Sequence, residues 1–313
     1  MVVLSATLNQ IAFLFLFIII GYIIARFGFI SNNAQGVLSK LENLIFIPAL
    51  VLGTFINNFT AQKISQAWKL LLASLILEII AIGVSLVCVR FCSKDKYEQN
   101  IFTYGLCFSN FGFMGNAVVS ALFPEIFLEY LIFTLPLWSL IYIWGVPVLL
   151  LSNGSEKPTF KQRMKNFVNP MFVCTLLGML IGLINIPIPQ FVLVAVNSAG
   201  NCMSPIAMLI TGMTIAQFNV KEVLKIKSVY LVTFLRLLVF PVIFLVVLYF
   251  VPFSKTFATC AICSLAMPLG LNTIIIPSAL GKDTKVASGM ALVSHLLCAI
   301  TIPVIFIIFQ TLC

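Results

Sequence analysis

Two short polar runs interrupt apolar stretches of this chain: Ser109-Asn-Phe-Gly-Phe-Met-Gly-Asn116, and Met267-Pro-Leu-Gly-Leu-Asn272 with Pro277 beyond it. In the first, Gly112 and Gly115 lie between Asn110 and Asn116 and make a poor continuous helix, because glycine loses more backbone freedom there than other residues. In the second, Pro268 and Pro277 flank Gly270, and each proline removes a backbone donor and crowds the preceding turn. A helix broken inside an apolar slab frees N–H and C=O groups that need a partner, a cavity or water. The chemistry open to such a break is anion binding. Half-helix N-termini offer free N–H groups and partial positive charge, to which Asn116 and Asn272 add amide donors. Two such ends meeting at mid-depth suit a carboxylate. The plainer alternative is that these residues only kink or pack helices. Breaks at equivalent positions, each followed by Asn, favour the binding reading.

Three ionisable residues lie well inside apolar stretches: Glu78, Arg236 and His295. Charge at membrane depth costs about 2.5–3.5 kcal/mol on insertion scales and usually marks function. One reading makes Arg236 a counter-charge for an anionic substrate and Glu78 or His295 a proton or ion-coupling site. The other makes Glu78 and Arg236 a pair that orders the helices. Asn43 and Asn201 either line the same cavity or bond across helices.

The elements that must position these residues are transmembrane helices. Of 313 residues, 61% are hydrophobic and 9% charged, against about 25% charged in soluble domains. Ten apolar segments reach spanning length: Leu8–Phe27, Leu38–Ile56, Trp68–Val89, Asn100–Leu122, Ile126–Leu151, Pro170–Ile186, Phe191–Phe218, Val229–Val251, Phe257–Leu280 and Val286–Leu312. Lys40 and Glu42 shorten the second. The first reads as a retained helix rather than a cleaved leader. Fourteen Lys and Arg residues fall in the loops after spans one, three, five, seven and nine, and three (Lys63, Lys69 and Lys255) on the opposite side. By the positive-inside rule both termini face outside. The net charge of +9 is thus spread over short loops, and no nucleic-acid partner is expected. The expected partners are the lipid bilayer and a small organic anion; a homodimer stays open.

The chain repeats itself. A shift of 156 superposes Cys107 on Cys263, Asn116 on Asn272 and Pro147 on Pro303; a shift of 157 superposes Pro48 on Pro205 and Thr54 on Thr211. A shift of 158 brings Asn43 onto Asn201 and Glu78 onto Arg236. The halves are residues 1–155 and 156–313, joined at the polar stretch 152–158. Five spans per half, an odd number, turn the second half upside down, and inverted repeats with a mid-depth site are a transporter signature. Enzyme patterns such as HExxH, GxSxG and GxxxxGK[ST] do not occur, and no cofactor or metal is expected. Cys260 and Cys263 form a CxxC without the second pair a zinc site would need. Gly178-Met-Leu-Ile-Gly182 reads as a helix-packing motif.

The run from Ser109 to Ala117 resembles the auxin efflux carrier family of membrane transporters, which includes plant PIN-type exporters and bacterial malate and malonate permease-like proteins. Members carry a similar Asn-x-Gly-Phe-x-Gly element in span four. Ala266-Met-Pro-Leu-Gly-Leu-Asn-Thr273, Asp283, Ala287-Ser288 and Thr301-Ile-Pro303 resemble their spans nine and ten, and Arg236 to Pro241 fits span eight. The resemblance implies an all-α membrane fold of ten helices in two inverted five-helix repeats, similar to bile-acid/sodium symporters, with broken crossover helices four and nine. Spans one, two, six and seven would form a scaffold, and spans three to five and eight to ten a moving transport unit. Asn116 and Asn272 would hold the crossover Asn roles. Plant members have a proline at the span-four crossover, where this chain has Gly112 and Gly115, and a long cytoplasmic loop that is missing here. The function implied is secondary transport of a small organic anion, a dicarboxylate such as malate or malonate or an auxin-like carboxylate. Carriage of another solute, such as an amino-acid derivative or a sodium-coupled substrate, and a non-transporting membrane sensor or accessory subunit are the rival readings.

Overall fold

A computed structural model describes residues 2–31, 33–151, 169–217, 220–279 and 282–312. The polar joint at 152–158 and the cations Lys157, Lys161, Arg163 and Lys165 fall outside the described residues, as do the last residues of the expected seventh and ninth spans. Among the described residues, twelve helices of eight residues or more carry the fold: α1 Val2–Arg26, α2 Ala34–Asn58, α3 Ala61–Cys92, α4 Lys96–Cys107, α5 Phe111–Leu122, α6 Pro124–Leu150, α7 Pro170–Ile184, α8 Gln190–Ala216, α9 Lys227–Phe250, α10 Lys255–Leu265, α11 Asn272–Ala279 and α12 Lys285–Leu312. The described residues form no strand; one isolated antiparallel bridge pairs Ser109 with Leu269.

By length and composition α2, α3, α6, α8, α9 and α12 can cross a membrane, while α5, α7, α10 and Ala12–Arg26 of α1 are shorter apolar helices. Helix falls on every segment expected to span. The fourth and ninth segments are each split in two, into α4 and α5 and into α10 and α11.

Local chemistry explains the boundaries. Side chains of Asp95, Asn169 and Ser254 cap α4, α7 and α10 by accepting from the N–H groups of Glu98, Phe172 and Phe257, which satisfies donors no helix can satisfy internally. Asn185, at φ 54, ends α7 in the left-handed conformation ahead of Pro187, a conformation asparagine tolerates. Wide π-helical turns occupy Glu42–Phe46 before Pro48, Ile141–Leu150 around Pro147, and Leu235–Val239 before Pro241. Each lies where a proline has withdrawn its N–H from the ladder. A fourth such turn, Phe111–Gly115, opens α5.

The helices pack in two groups. α1 crosses α8, and α2 lies against α7 and α8. Glycine makes these crossings close: a Cβ on Gly21 would collide with the Leu209 backbone, and one on Gly212 with the Ile18 carbonyl. The Gly178–Gly182 pair packs on α2, where added Cβ atoms would meet Phe55 Cβ at 2.7 Å and the Phe55 carbonyl oxygen at 2.7 Å. In the other group α3 lies on α4 and α6, α9 on α10 and α12, and α10 and α11 on α6. Between the groups, α1 and α8 touch α5 and α12, and α2 touches α6. The densest core surrounds the two breaks, with Phe102, Tyr104, Phe108, Phe111, Met114, Tyr130 and Phe133 fully buried. Outward faces expose large apolar residues such as Leu16, Ile79, Leu176 and Phe250, as a lipid-facing surface requires.

Candidate functional site

Both breaks are short extended segments that meet. After Cys107 the chain runs extended through Phe108–Asn110, and after Leu265 it runs non-helical to Leu271. The Asn110 N–H donates to the Pro268 carbonyl at 2.7 Å, beside the Ser109–Leu269 bridge. Gly270 is required at the contact: a Cβ there would stand 2.8 Å from the Phe108 carbonyl oxygen and 3.3 Å from that of Ser109. The starts of α5 and α11 therefore lie side by side. In the first turn of α11 the Thr273 and Ile274 N–H groups donate to the Gly270 and Leu271 carbonyls, at 3.4 and 2.9 Å.

The other ends, the C-termini of α4 and α10, leave carbonyls free, and Arg236 of α9 collects them. Its Nη1 donates to the Leu106 carbonyl at 2.8 Å, Nη2 to that of Ser264 at 3.0 Å, and Nε to that of Met267 at 3.3 Å. The guanidinium is 1% exposed. A cation at helix C-termini also meets the negative end of both dipoles. The Ser109 hydroxyl donates to the Ser264 carbonyl at 2.8 Å, and the Leu269 N–H to the Ser294 hydroxyl at 3.4 Å. Arg236 thus ties the two breaks together, a role neither sequence reading of it contained. Glu78 is buried nearby with Oε1 unpartnered. Among the described residues the ion pairs are Lys63–Glu129 and Lys285–Glu222, so Glu78 and Arg236 form no contact pair.

Asn110 stands at the start of α5. Its amide nitrogen donates to His295 Nε2 at 3.0 Å, while His295 Nδ1 lies 2.8 Å from the Ala291 carbonyl. A carbonyl only accepts, so Nδ1 carries the hydrogen and Nε2 is left to accept, which fixes a neutral tautomer. Asn272 begins α11 and donates from its amide to the Tyr104 hydroxyl at 3.0 Å. That hydroxyl accepts one bond and keeps its own hydrogen to donate. Tyr104 is the polar group that the sequence left unmarked; an aromatic in an apolar run has no distinguishing signal until Asn272 is brought to it.

Asn110, Asn272, Tyr104, Gly112, Gly270 and Trp138 line a cavity at the crossing. Its volume is about 20 Å³, room for roughly one water. Gly112 is set by Trp138, whose ring atom would stand 2.5 Å from an added Cβ, and Gly115 by the Tyr130 hydroxyl, which donates to the Phe111 carbonyl at 3.1 Å. Asn116 is buried further along α5, with Oδ1 unpartnered, and does not line this cavity. Pro268 supplies the bridging carbonyl, and Pro277 sits inside α11. Asn43 and Asn201 are exposed and away from the cavity; the Asn43 amide donates to the Ser39 carbonyl of its own helix.

Replacing Tyr104 with Phe removes one hydroxyl and leaves the half-buried Asn272 amide without its acceptor, a penalty of about 1 kcal/mol. The expected result is a lowered thermal midpoint with helix content unchanged, read by thermal melting and circular dichroism on the detergent-solubilised protein.

No curated protein matches the chain. Residues 6–306 match the family model described as membrane transport protein. With paired helix breaks in an apolar, multi-helix fold and a match over nearly its whole length, the chain belongs to the membrane transport protein family, which includes the auxin efflux carriers and PIN-like proteins.

Proposed function

We propose that this protein is a secondary carrier that moves a small organic anion across the cell membrane by elevator-type alternating access. The expected cargo is a dicarboxylate such as malate or malonate, or an auxin-like carboxylate. The observation that carries this reading is the side-by-side start of α5 and α11 around one cavity, with Asn110, Asn272 and Tyr104 at its wall. The N-terminal ends of two half-helices converge there with the Asn110 and Asn272 amides and the Tyr104 hydroxyl, and the local field of both dipoles favours negative charge. A carboxylate takes hydrogen bonds from these groups, and charge-assisted bonds are the strong ones.

The present cavity holds about one water, so cargo enters as the crossing parts from Trp138 and Ile141 of α6. Asn116, buried along α5 with an unpartnered oxygen, then joins the polar path. In this reading ten spans form two inverted five-helix repeats with both termini outside. α1, α2, α7 and α8 form the scaffold, and α3 to α6 with α9 to α12 the moving unit. The separate packing of the two helix groups supports that division. His295 holds Asn110 in place, and Arg236 holds the two breaks as one body so that both half-sites travel together.

Uptake of labelled malate, malonate and indole acetate into proteoliposomes tests the proposal. Saturable uptake of at least one of these anions is expected. Binding without flux would support a sensor instead, and flux that requires sodium and a different solute would support the rival cargo class.

A further inference from the structure

Glu42 is fully buried in the π-helical turn of α2, at 0% exposure, and neither of its carboxylate oxygens has a hydrogen-bond partner. One turn earlier the buried Ser39 hydroxyl oxygen is also unpartnered. The segments packed against this turn are Pro170–Ile184, Gln190–Asn201 and Met203–Ala216. They contain no Asp, Glu, Lys, Arg or His; their titratable side chain is Cys174, and the exposed Cys202 lies between the second and third. Lys40, on the same helix, is exposed. Among the described residues no cation of a packed segment faces Glu42, and a buried carboxylate without a partner is costly.

We propose that Glu42 is a proton-binding site of this protein, and that its proton is the one coupled to anion movement. A proton fits better than a metal cation. Hard cations take about six or more oxygen ligands, whereas Glu42 and Ser39 offer three side-chain oxygens between them. Protonation needs none of these extra ligands, because the carboxylate oxygen gains one O–H bond and the group becomes neutral. The balance is one carboxylate plus one aqueous proton giving one carboxylic acid, reversed on release.

The route to the cargo site is short. Met203–Ala216 of α8 packs on the Glu42 turn and also on the Phe111–Gly115 turn that opens α5. A change in charge at Glu42 is felt by this segment, which touches both turns. This coupling rests on the carrier reading above; the proton site itself does not.

Two measurements separate those parts. Infrared difference spectra of the purified protein, recorded across a pH series, are expected to show a protonated-carboxyl C=O band. That band should persist in Glu78→Gln and vanish in Glu42→Gln. Its absence from the wild type, or its survival in Glu42→Gln, overturns the proton site whether or not any anion is transported. In proteoliposomes with the membrane potential clamped, one coupled proton lets a gradient of one pH unit accumulate the anion about tenfold. Glu42→Gln should keep exchange at equal pH and lose that accumulation. A Glu42→Gln carrier that still accumulates anion tenfold overturns the coupling. Should Glu42→Gln fail to fold, the wild-type band and its persistence in Glu78→Gln decide the site.

Discussion

Replacing Arg236 with Met should leave little monodisperse protein after extraction. The side chain fills its volume, but the buried carbonyls of Leu106 and Met267 lose the donor that Arg236 gives them, while that of Ser264 keeps the Ser109 hydroxyl. Each orphaned group costs about 1–3 kcal/mol, so the two together, about 2–6 kcal/mol, reach the lower end of the roughly 5–15 kcal/mol that separates folded from unfolded domains. Arg236→Lys keeps the charge and loses the planar fork that reaches three acceptors at once, and is expected to fold with a lowered thermal midpoint. Size-exclusion profile and thermal midpoint in detergent are the readouts. An Arg236→Met protein with an unchanged midpoint and only a raised KM for the anion would make Arg236 a cargo ligand and remove it as the tie between the breaks.

The second large effect belongs to Gly270. A Cβ there stands 2.8 Å from a backbone oxygen, that of Phe108, which sits in the other break. Backbone cannot rotate away as a side chain can, so Gly270→Val forces the two extended segments apart. The bond from the Asn110 N–H to the Pro268 carbonyl stretches with it. Overpacking of this kind costs about 1–3 kcal/mol, and the bond about 0.5–1.5 kcal/mol more. The protein should still fold, and anion transport should fall by about a hundredfold, because both half-sites move off their common cavity. Gly83→Ala is the control. Nothing lies within 4 Å of its added Cβ in the middle of α3, and Ala is the better helix former, so transport is expected unchanged. Equal activity of Gly270→Val and Gly83→Ala would mean the contact between breaks is dispensable.

Much of this architecture is readable from residue types alone, because lipid as solvent imposes long apolar segments and punishes any break in them. Glycine, proline and asparagine therefore located both breaks. Their register was harder. The repeat aligns Asn116 with Asn272, yet Asn272 opens its half-helix while the matching opening is at Phe111, beside Asn110. The π-helical turn Phe111–Gly115 lies between that opening and Asn116, and a local wide turn has no period that composition reveals. Arg236 was visible as a buried charge, but its partners are main-chain carbonyls from two distant helices, which no side-chain pattern encodes. Glu42 looked like a residue that merely shortens the second span; only the packing of α7 and α8 around it shows a carboxylate sealed from every partner. Asn43 and Asn201, matched by the same repeat, are exposed. Repeat symmetry marks equivalent places in the fold without saying which of them face the cavity.

The seat for the anion at the crossing is tested most directly by equilibrium binding. The anion that gives the strongest proteoliposome uptake is titrated into wild-type protein, into the Asn110→Ala, Asn272→Ala double variant, and into an Asn43→Ala, Asn201→Ala control, with folding checked by thermal midpoint. Loss of charge-assisted hydrogen bonds worth about 1.5–3 kcal/mol predicts a Kd at least tenfold higher for the first pair, with the control unchanged. Wild-type affinity in a folded Asn110→Ala, Asn272→Ala protein would place the anion elsewhere and contradict the account.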